Sequence, residues 1–354
     1  MNSFTYTKQG AITCLLTFSI TLALMFRSSL FADDSKSSRI TVSKVENALL
    51  KPNSTKDSFH FETKQIRGTI RLDGPYHGVN RLTDKRTGKQ VIDERYSALN
   101  FYKLMSVNQV MGEPRKMERT IKYGAHWAEV KWAPTESHQA VLTARYEVIE
   151  PNAIDLTLTV QSRGTYSGYE VFMPNYFNKS FRPYIYLWTR GRQAEELVLP
   201  RVNDVFRETV LVFPRDAHAA RHCIDGRWDR SEWNRSTVQM CPVRHYARCF
   251  AFMADKEKQL GVVLMSQPQD CYAISTRYHA DKDSERLTSY SAFDFSLFGD
   301  YLIPGDKRTV KVRLALTALD RNMSQPLKLY QTFTAERDDR RNQSKQLNSE
   351  GMTP

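Results

Sequence analysis

The chain has 354 residues, of which 41% are hydrophobic, 25% charged and 11% aromatic, and its mean hydropathy is −0.53. That composition excludes a wholly disordered chain, a collagen-like one, a small disulfide-stapled scaffold and a multi-span membrane protein. Fifty-one Lys and Arg against 39 Asp and Glu give a net charge of +12, which favours acidic partners. The basic residues are interleaved with acids, as in Arg227-Trp228-Asp229-Arg230, and no helix-turn-helix or zinc-finger spacing occurs, so nucleic acid is not the expected partner.

Residues 11–26, AITCLLTFSITLALMF, form an uncharged run of 16 with Lys8 before it and Arg27 behind it. A spanning helix wants about 20 apolar residues. The run suits a signal-peptide core, with Ala32 before Asp33 as the cleavage point, and an uncleaved single anchor is the alternative because Leu30 stands where a small residue is usual. Export to the periplasm or beyond is expected, with no stable membrane insertion once residues 1–32 are removed. The mature chain then keeps 49 basic and 39 acidic residues, a net +10. It also keeps Cys223, Cys241, Cys249 and Cys271, which permit two disulfides in three pairings or four buried thiols.

Residues 33–56 are polar and read as a linker, and 57–322 carry the fold. Ile66, Gly68, Ile70 and Leu72 share a face and run into the turn Asp73-Gly74-Pro75. Leu142, Ala144, Tyr146 and Val148 alternate with polar neighbours; Glu150-Pro151-Asn152-Ala153 turns the chain; Ile154, Leu156, Leu158 and Val160 alternate again. That is a hairpin with one buried face. Leu260 to Met265 is apolar throughout and reads as a fully buried strand, and Val310, Val312, Leu314 and Leu316 repeat the alternation. Pro326 to Glu336 is the best window for a short helix, at the start of a polar tail covering 323–354. Many strands, few short helices and no fixed-period repeat predict an all-β fold, a large antiparallel sandwich.

The segment Tyr169-Glu170-Val171-Phe172-Met173-Pro174-Asn175-Tyr176-Phe177-Asn178 resembles the strand that carries the catalytic histidine of galactose mutarotases (aldose 1-epimerases), whose pattern is Asn-His-x-Tyr-Phe-Asn. Asp73-Gly74-Pro75-Tyr76-His77-Gly78 and Ser296-Leu297-Phe298-Gly299-Asp300 look like secreted proteins of the same fold, so the resemblance loosely covers 57–320. It implies a β-supersandwich with a concave sugar-binding face. It does not carry the chemistry over: aligning Tyr176-Phe177-Asn178 puts Pro174 where the histidine should stand, and proline has no proton to give.

The stretch from Phe213 to Trp228 concentrates candidate residues. His218 and His222 are four apart, but the glutamate of H-E-x-x-H is missing, and neither a metal nor a cofactor is expected. A saccharide site is the more economical reading. Planar Arg forks match carboxylates, aromatic rings stack, and Asn or Asp bond hydroxyls. The candidates are Arg215, Asp225, Arg227 and Trp228 here, with Asn175, Tyr176, Trp188 and Arg190 earlier in the chain. His222 or His245 is the candidate base if the protein abstracts the proton beside a uronate carboxylate. Three readings remain open: a carbohydrate-binding protein recognising an anionic poly- or oligosaccharide, a polysaccharide lyase or sugar isomerase of the same fold, and a structural envelope protein.

Overall fold

The expected alternation is what builds the sheets. In the computed structural model, which describes residues 49–53, 57–107, 109–200, 209–223, 238–240, 244–277 and 290–336, twenty strands numbered in chain order form three sheets. The largest has nine strands in the order β13 (Glu195–Val198), β12 (Arg182–Trp188), β16 (Tyr246–Asp255), β17 (Leu260–Ser266), β20 (Lys307–Ala318), β10 (Ala153–Ser162), β9 (Ala140–Ile149), β8 (Trp127–Trp132) and β7 (Arg119–Tyr123). The second has seven: β15 (Val238–Met240), β14 (Thr209–Pro214), β18 (Cys271–Arg277), β19 (Tyr290–Leu302), β11 (Tyr166–Asn178), β5 (Lys103–Ser106) and β6 (Gln109–Gly112). A smaller sheet joins β1 (Leu50–Pro52), β2 (Ser58–Glu62), β3 (Ile66–Arg71) and β4 (Gly78–Asp84) in sequence order. Every pairing is antiparallel except that of β14 with β15.

The hairpin of β9 and β10 has the expected turn, in which Glu150-Pro151 is cis, and Leu142 pairs with Val160 and Tyr146 with Leu156. β9 alternates buried and half-buried over its whole length, and every residue of β17 is buried. The fold is thus the all-β sandwich expected. One boundary differs: β1 begins inside the stretch read as linker and pairs Leu50 with Phe61. A three-residue strand offers too few alternations to stand out from a polar background.

One continuous core contains inward-facing residues of all three sheets, including Leu156, Val312 and Leu264 from the nine-stranded sheet and Val171, Phe293 and Leu297 from the seven-stranded one. Helix α1 (Ala217–Ala220) closes a second, small cluster in which Ala219 and Cys223 meet Val210, Val212, Tyr272 and Ala273. Cys249 and Cys271 are buried free thiols, Cys223 is buried beneath α1, and Cys241 lies outside the described residues. No described helix is long and apolar enough to cross a membrane.

Helix α2, residues 325–336, forms where the sequence predicts it. Asp320 sets its start, accepting the Ser324 N–H at 2.7 Å on one carboxylate oxygen and the Ser324 hydroxyl at 2.7 Å on the other. Asp320→Ala should loosen the approach to the helix and lower stability slightly, seen as a small fall in melting temperature.

Candidate functional site

Register fixes which side chains share the outer face of the seven-stranded sheet. Val171, Met173 and Phe177 of β11, and Phe293, Phe295 and Leu297 of β19, belong to the core. Side chains alternate across a strand, so Phe172, Pro174 and Tyr176, with Ala292, Asp294 and Ser296, point the other way. The ladder sets Pro174 opposite Asp294, and Tyr176 opposite Ala292. Asp294 and Glu170, each only 1% exposed, are carboxylates taken out of bulk water on this sheet. Such groups are held in folded proteins only where partners compensate their desolvation.

At the Tyr176 end of this face, tyrosines from four parts of the chain converge. The Tyr176 ring lies 5.6 Å from Tyr76, 5.6 Å from Tyr96 and 4.8 Å from Tyr290, mostly edge to face. Tyr96 in turn lies 4.9 Å from Tyr290 and 5.5 Å from Tyr76. Tyr102 extends the cluster, with the Arg115 guanidinium 4.7 Å from the centre of its ring and the Lys103 ammonium 5.2 Å from it. Tyr176 is buried, whereas Tyr76, Tyr96, Tyr102 and Tyr290 are half-buried, so the rim meets solvent. Burial pushes the Tyr176 phenol well above its ordinary pKa, and the neighbouring Tyr290, Asp294, Tyr76 and Tyr102 push it the same way. Burial also raises Tyr76, helped by Tyr96 and opposed by Arg115. These phenols are therefore neutral at physiological pH and can both donate and accept hydrogen bonds. Ring faces, hydroxyls, a carboxylate and a guanidinium assembled in this way suit a polyhydroxylated ligand better than a purely apolar one.

The segment 93–102, which carries Tyr96 and Tyr102, is pinned from below. Tyr176 donates its backbone N–H to the Ser97 carbonyl at 3.1 Å, and Tyr102 donates its own to the Phe172 carbonyl at 3.0 Å. The Ser97 hydroxyl donates to the His77 carbonyl, and the Phe101 N–H donates to His77 Nε2 at 2.9 Å. Leu99 sits at φ 55°, a left-handed conformation few leucines adopt. Asn175 Oδ1 accepts the Leu99 N–H at 2.7 Å, and the Tyr146 hydroxyl donates to the Leu99 carbonyl at 2.9 Å. Gly78 completes the fit: a Cβ there would stand 2.3 Å from the Ala98 carbonyl oxygen.

The other residues singled out in the sequence fall elsewhere. Asn175 is fully buried on the core side of β11, and its amide nitrogen donates to the carbonyls of Met173 and Phe293. Trp188, Arg190 and His245 lie at one end of the nine-stranded sheet, where β12, next to the edge strand β13, runs out and β16 begins: Trp188 N–H donates to the His245 carbonyl, and Arg190 is exposed in the following turn. Arg192 donates to His245 Nδ1 at 2.5 Å, and burial with Arg192 nearby lowers the His245 pKa against the opposing pull of Asp216. Arg215 holds that Asp216 at 2.8 Å. His222 follows α1, 5.1 Å ring to ring from His218, and packs over Gly168. Gly168 is eight residues from Tyr176 along β11, about 27 Å of extended strand. Asp225, Arg227 and Trp228 lie outside the described residues. Among the described residues no group of three or more His, Cys, Asp or Glu side chains could hold a metal ion.

Tyr96, Tyr102, Arg115, Tyr290 and Asp294 were not anticipated. A signal for Asp294 exists, since Phe293, Phe295 and Leu297 alternate with Asp294 and Ser296 and set a carboxylate on the outer face. Nothing local marks the tyrosines, which meet only through long-range pairing.

No family model matches the chain, and no curated protein matches it. Solved structures are similar in fold. One is a galactose mutarotase-related enzyme from Lactobacillus acidophilus, at TM-score 0.46 and 9% identity, covering 74% of this chain and 97% of that one. A galactose mutarotase-like protein from Clostridium acetobutylicum aligns at TM-score 0.45 and 11% identity over 74% and 95% of the two chains. A heparan sulfate lyase mutant from Pedobacter heparinus aligns at TM-score 0.43 and 8% identity, over 78% of this chain and 38% of the longer one.

Proposed function

We propose that the protein, exported and freed of residues 1–32, binds a carbohydrate on the outer face of the seven-stranded sheet, through the tyrosine cluster around Tyr176. The observation that carries this reading is the convergence of Tyr76, Tyr96, Tyr176 and Tyr290 within 5.6 Å of one another or less along the chain of contacts, beside the buried Asp294. The rings offer stacking area with little side-chain entropy to lose and the phenols at the rim meet hydroxyls, while Arg115, held by Glu113 at 2.7 Å, and the buried Lys103 add positive potential beside Tyr102 that favours a ligand carrying carboxylates. An acidic oligosaccharide is the ligand class that uses all of these groups.

The enzymatic alternative, a lyase or isomerase with His222 or His245 as base, needs that base beside the sugar. His222 packs over Gly168, eight residues from Tyr176 along β11, and His245 precedes β16 of the nine-stranded sheet, so binding is the reading favoured here.

Calorimetric titration with neutral and uronate-containing oligosaccharides tests it. Tyr96→Ala and Tyr290→Ala should each weaken binding of the acidic sugar about tenfold, the upper range for one aromatic contact. Affinities unchanged in both variants would overturn the site. Ultraviolet absorbance followed in the same samples should stay flat, whereas rising absorbance from unsaturated uronates would make the protein a lyase. Binding that follows salt alone and ignores sugar identity would favour the structural envelope reading.

A further inference from the structure

The four-stranded sheet has an outer groove that plays no part in the tyrosine face. Register aligns Lys51 with His60 and His60 with Thr69 across three strands, and sets Glu62 opposite Arg67. These side chains, with Arg81, line a cavity of about 390 Å³. Its floor is Gly68 over the Phe61 ring, and a Cβ on Gly68 would meet that ring at 2.7 Å. Pairing of β3 with β4 is irregular between Arg67 and Thr69, and Arg81 takes φ 51° beside that irregularity. Bulges of this kind re-aim a side chain, and a non-glycine residue held in the left-handed region is uncommon.

The charges do not cancel. Glu62, the only acid among the described residues lining the groove, is bound by Lys85 at 2.6 Å, and Arg81 is bound by Glu94 at 2.8 Å. Lys51 and Arg67 have no ion pair among the described residues. His60 engages Thr69 through Nδ1 at 3.1 Å, and its Nε2 has no protein partner among the described residues. Glu62 also attracts Lys51 and Arg67 at longer range, but with Lys85 and Glu94 counted the groove still holds two more cations than acids, a balance that a phosphate monoester dianion meets and a carboxylate or a sulfate monoester does not. The cavity is far larger than a lone oxyanion, and falls in the about 300–1,000 Å³ range of small-molecule sites.

We propose that this groove is a second binding site, independent of the tyrosine face, and that it takes the phosphate monoester of a sugar-sized molecule between Lys51 and Arg67. Titration of the full chain with glucose 6-phosphate, inorganic phosphate, glucose 6-sulfate and glucose tests it. Glucose 6-phosphate should bind, the sulfate ester and free phosphate more weakly, and glucose not at all. Both cations are exposed, so Arg67→Gln and Lys51→Gln should fold normally and each lose about tenfold or more in affinity, the lower end of what a hydrogen bond to a charged group contributes. Tyr290→Ala should leave this affinity unchanged, which separates failure here from failure of the tyrosine face. No heat from glucose 6-phosphate, or variants that bind it as the parent does, would overturn the proposal. Inorganic phosphate or glucose binding as tightly as the sugar phosphate would overturn the assignment of the ligand.

Discussion

Lowering the pH from 7 to 5 is expected to remove about 2 kcal/mol of stability for each of two buried imidazoles, His77 and His138. Both are fully buried. Burial pushes His77 down to about 3, with Arg119, Arg71 and Arg115 adding positive potential, and burial pushes His138 down to about 4. The native state therefore holds both rings neutral while the unfolded chain protonates them near pH 6.5. A depressed histidine favours folding fully above its unfolded pKa. That advantage is lost as pH falls from about 6.5 toward the folded values near 3 and 4. The geometry agrees with the neutral form: His77 Nε2 accepts the Phe101 N–H, and His138 Nε2 shares a hydrogen bond of 2.9 Å with the Tyr169 hydroxyl. Urea unfolding at pH 7, 6 and 5 measures the slope, and His138→Gln should flatten it by about 1 kcal/mol per pH unit averaged over that range, the share of one histidine. A parent protein equally stable at pH 7 and 5 would contradict the assignment.

Asn175→Ala should cost about 3 kcal/mol of folding free energy and weaken saccharide binding as well. The substitution leaves the Leu99 N–H buried without its 2.7 Å acceptor and strips two carbonyls of a donor, and an orphaned buried group costs about 1–3 kcal/mol. Leu99 keeps its left-handed backbone because both of its peptide groups are bonded, so losing one bond frees the segment that presents Tyr96 and Tyr102. Asn175 is thus a positioning residue, acting on the tyrosine face from the opposite side of the strand. Tyr146→Phe, which releases only the Leu99 carbonyl, should lower affinity in the same direction but less. Denaturant unfolding and titration on the same samples separate the effects: a destabilised Asn175→Ala protein that binds sugar like the parent would confine the residue to the core.

The strands that could be read in advance were those whose burial is one-sided and continuous, such as β9, β10 and β20. A period of two repeated over ten or more residues cannot be satisfied by a helix. β1 and β15 are three residues long and leave no such trace. The resemblance around Tyr176-Phe177-Asn178 led to β11, a central strand of the seven-stranded sheet, and Tyr176 stands at the heart of the tyrosine cluster. Chemical type misled at Asn175, because an amide is equally suited to a ligand and to three backbone partners, and only the face it occupies distinguishes them. Trp188 and Arg190 share a chemical type with the residues expected around Tyr176, yet lie at the end of β12 in the nine-stranded sheet. Tyr96 and Tyr290 come together across nearly two hundred residues, a distance no local pattern spans.

Strand β20, close to the end of the folded region, lies in the interior of the nine-stranded sheet, between β17 and β10. Until residues 307–318 have left the ribosome, the strands on its two sides have nothing to join them, and both β10 and β17 present a row of unsatisfied peptide groups. The same holds for β11, which waits more than a hundred residues for β19. Assembly is therefore a late event in synthesis, dominated by pairings between distant parts of the chain, and such topologies fold slowly. A nascent chain of this protein needs its hydrophobic edges shielded for most of its translation.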